Sequence, residues 1–302
     1  MTDLILHSYD GSPFTQRVLK MLAIKRARWR WVETPMMLPK EDLVALTGGY
    51  RGTPVLQIGA DVYIDSQRIA RELEDRIPQP TLFPGGGVGL DYAMVKWADA
   101  FFRAGLHMAI GLTSPAWPDE FRADRQKLFP DIDFAKVDVE HAQSQLRAHA
   151  SLIDLQLRDG RAFLGGDAPG MLDIHAWTVP WFARPWMPVV NDLLAAFPRL
   201  SAWEARVAAL GEGERQPIAC AEAFAAARSA KPLAGSIEAG DAQGLKAGEM
   251  VDVGPEEEMR RGDVRGAVFS ASANEIAVRR SDPRCGEVVV HFPRLGYRVR
   301  RI

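Results

Sequence analysis

The sequence predicts three units in series: an α/β layer over 1–80, an all-helical domain over 88–230, and a small all-β unit over 240–302. Three changes of texture carry this division. Short apolar runs of strand length alternate with helical periodicity as far as two clusters of breakers, Ile77-Pro78-Gln79-Pro80 and Pro84-Gly85-Gly86-Gly87. From Leu90 onward the apolar residues recur at helical spacing, as in Tyr92, Val95, Phe102, Leu106 and Ala109. Past Lys231-Pro232, Gly, Ala and Ser dominate to Gly248, and five short β-like runs separated by turn signals come after them.

Composition narrows the function. With 302 residues the chain can bury two or three real cores. Apolar content of 47% and charged content of 25% are those of an ordinary soluble protein. The 37 basic and 39 acidic residues leave a net charge of -2, which argues against nucleic acid or an anionic membrane surface as partner. No apolar run reaches the roughly 18 residues of a spanning helix, and the start Met1-Thr2-Asp3 does not open a secretory signal. Two distant cysteines, Cys220 and Cys285, fit a reducing compartment, so a cytoplasmic setting is expected.

The first element is an apolar strand, Leu4-Ile5-Leu6, which turns at Asp10-Gly11 and enters a helix at Ser12-Pro13. Serine is a favoured N-cap, and proline is tolerated at the first helical position because its missing amide has no partner there. Phe14, Val18, Met21 and Leu22 continue at helical spacing. On its own Ser12 reads as a cap. Its hydroxyl nevertheless stands among unpaired amides at the positive end of a helix, a setting suited to an anion. Ala27 to Val32 alternates as a strand, and a loop through Pro35 and Pro39 leads to a short helix from Lys40 to Leu46, stopped by Gly48-Gly49. Thr53-Pro54-Val55-Leu56-Gln57 enters a strand through proline. A turn and a second strand, Val62-Tyr63-Ile64, precede a helix that starts at Asp65-Ser66 with Ile69 and Leu73 inward.

Ser12-Pro13-Phe14 followed by Arg17-Val18, then Thr53-Pro54-Val55-Leu56, then Asp65-Ser66 followed by Ile69 and Leu73-Glu74, resemble in order and spacing the amino-terminal half of the glutathione transferase family. The pattern is most similar to serine-type branches such as the plant tau class. The resemblance implies a thioredoxin-like fold for 1–80, glutathione as co-substrate and no metal. It implies that Ser12 donates to the glutathione thiolate and that Phe14 belongs to the same site. Thr53, ahead of a cis Pro54, would pair its backbone with the tripeptide, a case of β-augmentation. Asp65 and Ser66 would hold the γ-glutamyl amine and carboxylate, and Lys40 or Arg51 the glycine carboxylate. Thr53 replaces the more usual Val, a change that a backbone role tolerates.

Physical chemistry agrees with the role implied for Ser12. A hydroxyl can cap a helix and still donate. A thiol near pKa 8.5 is mostly protonated at neutral pH. Lowering it by two units needs about 2.7 kcal/mol of preference for the anion. One charge-assisted hydrogen bond and a helix terminus are of that order.

In the helical domain Ala142, Leu146, Ala150, Ile153 and Leu157 define the inner face of a helix from His141 to Leu157. Gly170-Met171-Leu172-Asp173 is similar to the family's Ser/Thr-x-x-Asp capping box, with Gly in place of the hydroxyl, so Asp173 reads as a structural cap. Pro180, Pro185 and Pro188 break the next stretch into short pieces. Helices are expected from Val189 and from Arg199, and an Ala-rich one from Pro217 to about Ala230. A second-substrate pocket is expected on this domain, with Phe101, Phe102, His107, Trp177 and Trp181 as candidates against the alternative that each is core. His175 reads as a satisfied core histidine rather than a base. The six histidines show no metal-ligand spacing.

The last unit reads as a β-barrel or sandwich, and the family resemblance is silent about it. Its final 24 residues hold seven arginines against two acids, which reads as a solvated edge strand. The expected activity is therefore that of a cytosolic, homodimeric detoxifying transferase, which activates glutathione at Ser12 and adds it to a small hydrophobic electrophile. The alternative is a non-catalytic glutathione-binding or protein-interaction module working through the β unit.

Overall fold

The computed structural model describes residues 3–256, 259 and 261–302. β1 (Ile5–Ser8) is buried at every position, as a strand must be that has neighbours on both edges and helices on both faces. It runs parallel to β2 (Arg28–Glu33) and antiparallel to β3 (Val55–Ile58). Between β1 and β2 lies α1 (Pro13–Ile24), whose Val18, Met21 and Leu22 pack inward. α2 (Glu41–Thr47) ends at Gly48, whose φ of 86° is the left-handed conformation that closes a helix. β4 (Asp61–Ile64) returns beside β3, and α3 (Ser66–Arg76) comes next. The expected α/β layer is present.

The helical domain comprises α4 (Val88–Thr113), α5 (Asp119–Leu128), α6 (Val139–Gln156), α7 (Met171–Ala183), α8 (Pro188–Ala195) and α9 (Pro198–Ala208). α7 packs against both α4 and α1 and so joins the two units. Its cap is Asp173, which accepts from the backbone N–H of Gly170 at 3.1 Å and of Leu164 at 2.7 Å, and from the Trp203 indole at 2.7 Å. The structural reading of that carboxylate therefore stands. Two expectations need correction. Pro180 does not break the chain but lies inside α7, where burial on nearly every side offsets one missing amide. Pro217 closes a strand, β5 (Glu214–Pro217), which pairs parallel with β2, and the Ala-rich helix α10 begins only at Cys220 and ends at Ser229. α5 had no apolar periodicity to announce it; Asp124 and Leu128 are its buried residues.

The carboxy-terminal runs are all strands: β6 (Met250–Pro255), β7 (Val264–Ala271), β8 (Glu275–Asp282), β9 (Gly286–Pro293) and β10 (Tyr297–Arg301). They do not form a separate barrel. β9 pairs parallel with β4, Val62 opposite Val290 and Tyr63 opposite His291, giving one sheet ordered β10-β6-β7-β8-β9-β4-β3-β1-β2-β5. The reason is an edge. Without β9 the outer backbone of β4 would be unpaired beside apolar side chains. Leu46, Tyr50, Val55, Val62 and Ile64 share a single apolar cluster with Val253, Val278, Val290 and Phe292. The boundary expected at 240 is therefore not a break in the core. Two arginines of β10 are paired at the surface, Arg300 with Asp263 and Arg301 with Glu249, in keeping with a solvated edge.

A buried polar bridge crosses the new strand pair. His291 Nε2 lies 2.9 Å from Asp61 Oδ1 and its Nδ1 lies 3.2 Å from Glu275 Oε1, with the ring stacked on Tyr63 at 4.6 Å. Arg68 joins Glu275 to Glu72. Burial alone would lower the His291 pKa, but the two carboxylates reverse the sign and raise it. Burial likewise works against the Glu275 carboxylate, yet His291 and Arg68 hold it down to about 2. A raised histidine stabilises fully below its unfolded value of 6.5 and loses that contribution as pH climbs through its folded value. A lowered carboxylate contributes fully above its unfolded value of 4.5 and fades as pH falls toward 2. The bridge is therefore strongest between those limits and weakens on the alkaline side. Thermal melts should show stability falling from pH 6.5 toward pH 9, and His291→Gln should flatten that slope. An unchanged slope would remove His291 from the effect. His291→Ala, which leaves two buried carboxylates face to face, should cost about 3–5 kcal/mol.

Candidate active site

A cleft of about 750 Å³ opens where the α/β layer meets the helical domain. Its first wall is formed by Phe14, Thr53, Pro54, Asp65, Ser66 and Gln67. The Thr53–Pro54 peptide is cis, as the family resemblance implied. Asp65 has a φ of 74° and caps α3, accepting from the Gln67 amide at 3.0 Å. Tyr50, buried at the end of the loop after α2, completes this side.

Ser12 caps α1 as expected: its Oγ accepts from the Thr15 amide at 3.2 Å. The residue is only 2% exposed and is not part of the cleft lining. Lys40 and Arg51 are also set back from it. Arg51 donates to Asp124 of α5 at 2.6 Å, and Arg125 reaches the same carboxylate at 2.9 Å. Lys40 sits 5.2 Å over the Tyr9 ring. Burial, reinforced by Arg51 and Arg125, lowers its pKa to about 8. Arg51, Asp124 and Arg125, which also donates to the Met36 carbonyl at 3.0 Å, tie the loops of the first unit to the helical domain.

The second wall comes from α4 and α6. Phe102 and His107 line it, together with Arg103, His141, Gln145 and His149. Phe101 and Trp177 do not. Phe101 is fully buried between Trp97 and His149, at 6.2 Å and 5.5 Å. Trp177 packs under Lys20 and against Trp181. The wall is thus more polar than a purely apolar pocket.

Behind Phe14 stands a group that the sequence left as part of a motif. The Arg17 guanidinium, buried in α1, lies 3.4 Å from Asp99 Oδ1 of α4 and 4.9 Å from the Phe14 ring centroid. Its Nε and Nη2 have no hydrogen-bond partner among the described residues. Burial opposes the Asp99 charge, but His175 and Arg17 hold its pKa down to about 2. His175, 3.8 Å from Asp99, is pushed down to about 4 by burial and then by Arg17, so it stays neutral near pH 7. His175 is buried as expected, but neither ring nitrogen has a hydrogen-bond partner among the described residues, so it is not the satisfied histidine the sequence suggested; it also borders the cleft. The third wall is Glu256, Met259 and Arg261, from the stretch between β6 and β7. No pattern in the sequence pointed to them, because nothing local says which surface that stretch will meet.

Comparison with known proteins identifies the family. The family profile for the glutathione S-transferase N-terminal domain matches residues 6–81, and that for the C-terminal domain matches 136–206. The crystal structure of a GST-like protein from Pseudomonas syringae is 35% identical, with a TM-score of 0.83 over 100% of both chains. The chain belongs to the glutathione S-transferase family. That relative matches along its whole length, carboxy-terminal strands included. The tau class transferase of mango, Mangifera indica, is 20% identical over 68% of this chain and 89% of its own, with a TM-score of 0.50. A beta-etherase, LigF, from Sphingobium sp. strain SYK-6 is 16% identical over 69% of this chain and 96% of its own, with a TM-score of 0.52. These two share the fold. No curated protein sequence matches the chain.

Phe101 and Phe102 offer a direct check on the two walls. Phe101→Ala should cost about 3–5 kcal/mol in a denaturant melt, as loss of a fully buried ring does. Phe102→Ala, at the cleft surface, should cost clearly less; equal losses would contradict the assignment of one ring to the core and the other to the cleft.

Proposed function

We propose that this protein binds glutathione in the cleft and activates its thiol for attack on a small electrophile held by α4 and α6. The observation that carries the reading is the convergence of Phe14, from the first turn of α1, Thr53–cis-Pro54 and Asp65-Ser66 on one cleft. Thr53 and Pro54 line the cleft, and the Thr53 backbone would pair with an extended peptide as an added strand. Asp65 and Ser66 at the start of α3 receive the γ-glutamyl end. Ser12 keeps a donor to offer, because its oxygen accepts from Thr15 while its hydroxyl proton is uncommitted in that bond. Together with the positive end of α1 it would favour the thiolate. No metal enters this scheme. The family's homodimer, a cytosolic setting and a detoxifying role belong to the same reading.

Glutathione binding without turnover is a second reading. It is favoured by one observation, the near-complete burial of Ser12. The two separate on Ser12→Ala, assayed with an aromatic halide. On the first reading kcat/KM falls about ten- to a hundredfold, the worth of a hydrogen bond to a charged group, and the pKa of the bound thiol rises by about one to two units. Helix capping is lost too, so the melt should drop by about 1 kcal/mol. Activity within twofold of wild type would remove Ser12 from the mechanism, and no turnover by wild type would favour the second reading.

If Lys40 holds the glycine carboxylate, its lowered pKa has a visible consequence. Affinity for S-methylglutathione, which has no thiol to ionise, should weaken as pH rises through about 8 and the ammonium loses its proton. Lys40→Met should reduce this dependence to the part that comes from the ligand's own α-ammonium. A wild-type affinity flat from pH 7 to 9 would assign the carboxylate elsewhere.

A further inference from the structure

The strands after 240 do more than lengthen the sheet, because two side chains from this part of the chain arrive at the residue expected to receive the γ-glutamyl amine. Tyr297, the first residue of β10, donates its hydroxyl to Asp65 Oδ2 at 3.1 Å. Arg261 Nη1 stands 3.5 Å from the same oxygen. The Arg261 carbonyl accepts from the Arg51 amide at 2.7 Å, which fixes this backbone against the loop that leads to cis-Pro54. Its guanidinium carbon lies 4.8 Å from the Phe14 ring centroid, the ring that also carries Arg17. Arg261 is 7% exposed and lines the cleft beside Asp65, Ser66 and Gln67.

The consequence is electrostatic. A lone carboxylate at this end of the cleft would select an ammonium group. A carboxylate already paired with a guanidinium is instead complementary to a group that carries both charges, its ammonium toward the acid and its carboxylate toward the base. Ionised Asp65 has about four acceptor sites, so the Gln67 amide, Tyr297 and Arg261 do not exhaust it. An arginine fork suits a carboxylate and is well placed in a buried setting. Arg17 lines the same cleft, and two of its buried donors find no acceptor among the described residues.

We infer that Arg261 and Asp65 form one charge pair that receives the zwitterionic α-amino-acid end of a γ-glutamyl group, so that the carboxy-terminal part of the chain supplies part of the thiol-substrate site. The inference rests on glutathione being the co-substrate.

Isothermal titration of the full-length protein tests it with two ligands, S-methylglutathione and its counterpart without the α-carboxylate, S-methyl-4-aminobutyryl-Cys-Gly. For wild type, removing the carboxylate should weaken binding about ten- to a hundredfold. In Arg261→Leu the first ligand should bind that much more weakly, and removing its carboxylate should then matter about twofold or less. Should Arg261→Leu fail to fold, Arg261→Lys, which keeps the charge but loses the fork, should show an intermediate penalty. Equal penalties in wild type and variant, or a penalty under twofold in wild type alone, would overturn the inference while leaving glutathione as the ligand. No binding of S-methylglutathione by wild type would instead overturn the parent reading, and this inference with it.

Discussion

A single imidazole, His291, held between Asp61 and Glu275, marks the place where two parts of the chain more than 200 residues apart become one sheet. The parallel pairing of β4 with β9 around it turns an edge strand into an interior one. Main-chain hydrogen bonds alone would not specify this register, since an apolar strand can slip by two residues at small cost. A buried histidine that must meet two carboxylates cannot slip without leaving charge unpaired, and an unpaired buried charge is expensive. The bridge therefore contributes register as much as stability.

Register at this junction governs the cleft. With β9 seated on β4, the hairpins on its far side carry Tyr297 and Arg261 to Asp65, at the start of α3. Other charged groups near the cleft are paired in the same manner, Arg17 with Asp99 and Arg51 with Asp124, each linking the α/β layer to the helical domain. Three ion pairs thus hold three parts of the chain around one cavity. Each is at least partly desolvated, so each is geometrically demanding, and the cleft they frame is organised before any ligand enters.

The first unit was legible in the sequence because its signals are local. Ser12-Pro13 announces a capped helix, Gly48 a helix end, and Asp65-Ser66 another cap, and all three appear where expected. The carboxy-terminal strands were equally legible one by one, since alternation reports a buried face. What alternation does not report is the neighbour on each edge. One trace of it was present: Val62-Tyr63-Ile64 is apolar on both faces, which suits an interior strand better than an edge. Arg261 and Tyr297 left no such trace, because their meaning depends on Asp65, far away in the chain. Pro180 misled for a different reason: a proline's local penalty was overridden by the burial of the whole of α7. Phe101 and Phe102 are adjacent, and only the rotation of α4 decides which is core and which faces the cleft.

Hydrogen exchange on the intact protein addresses the shared sheet most directly. If β4 and β9 are neighbours in one cooperative unit, the amides of Tyr63 and Val289 should exchange with the same opening free energy, and a denaturant series should move them together. Protection of the β3 and β4 amides persisting while those of β8 and β9 exchange orders of magnitude faster would mean that the carboxy-terminal strands open on their own, and a single continuous sheet would no longer describe this protein.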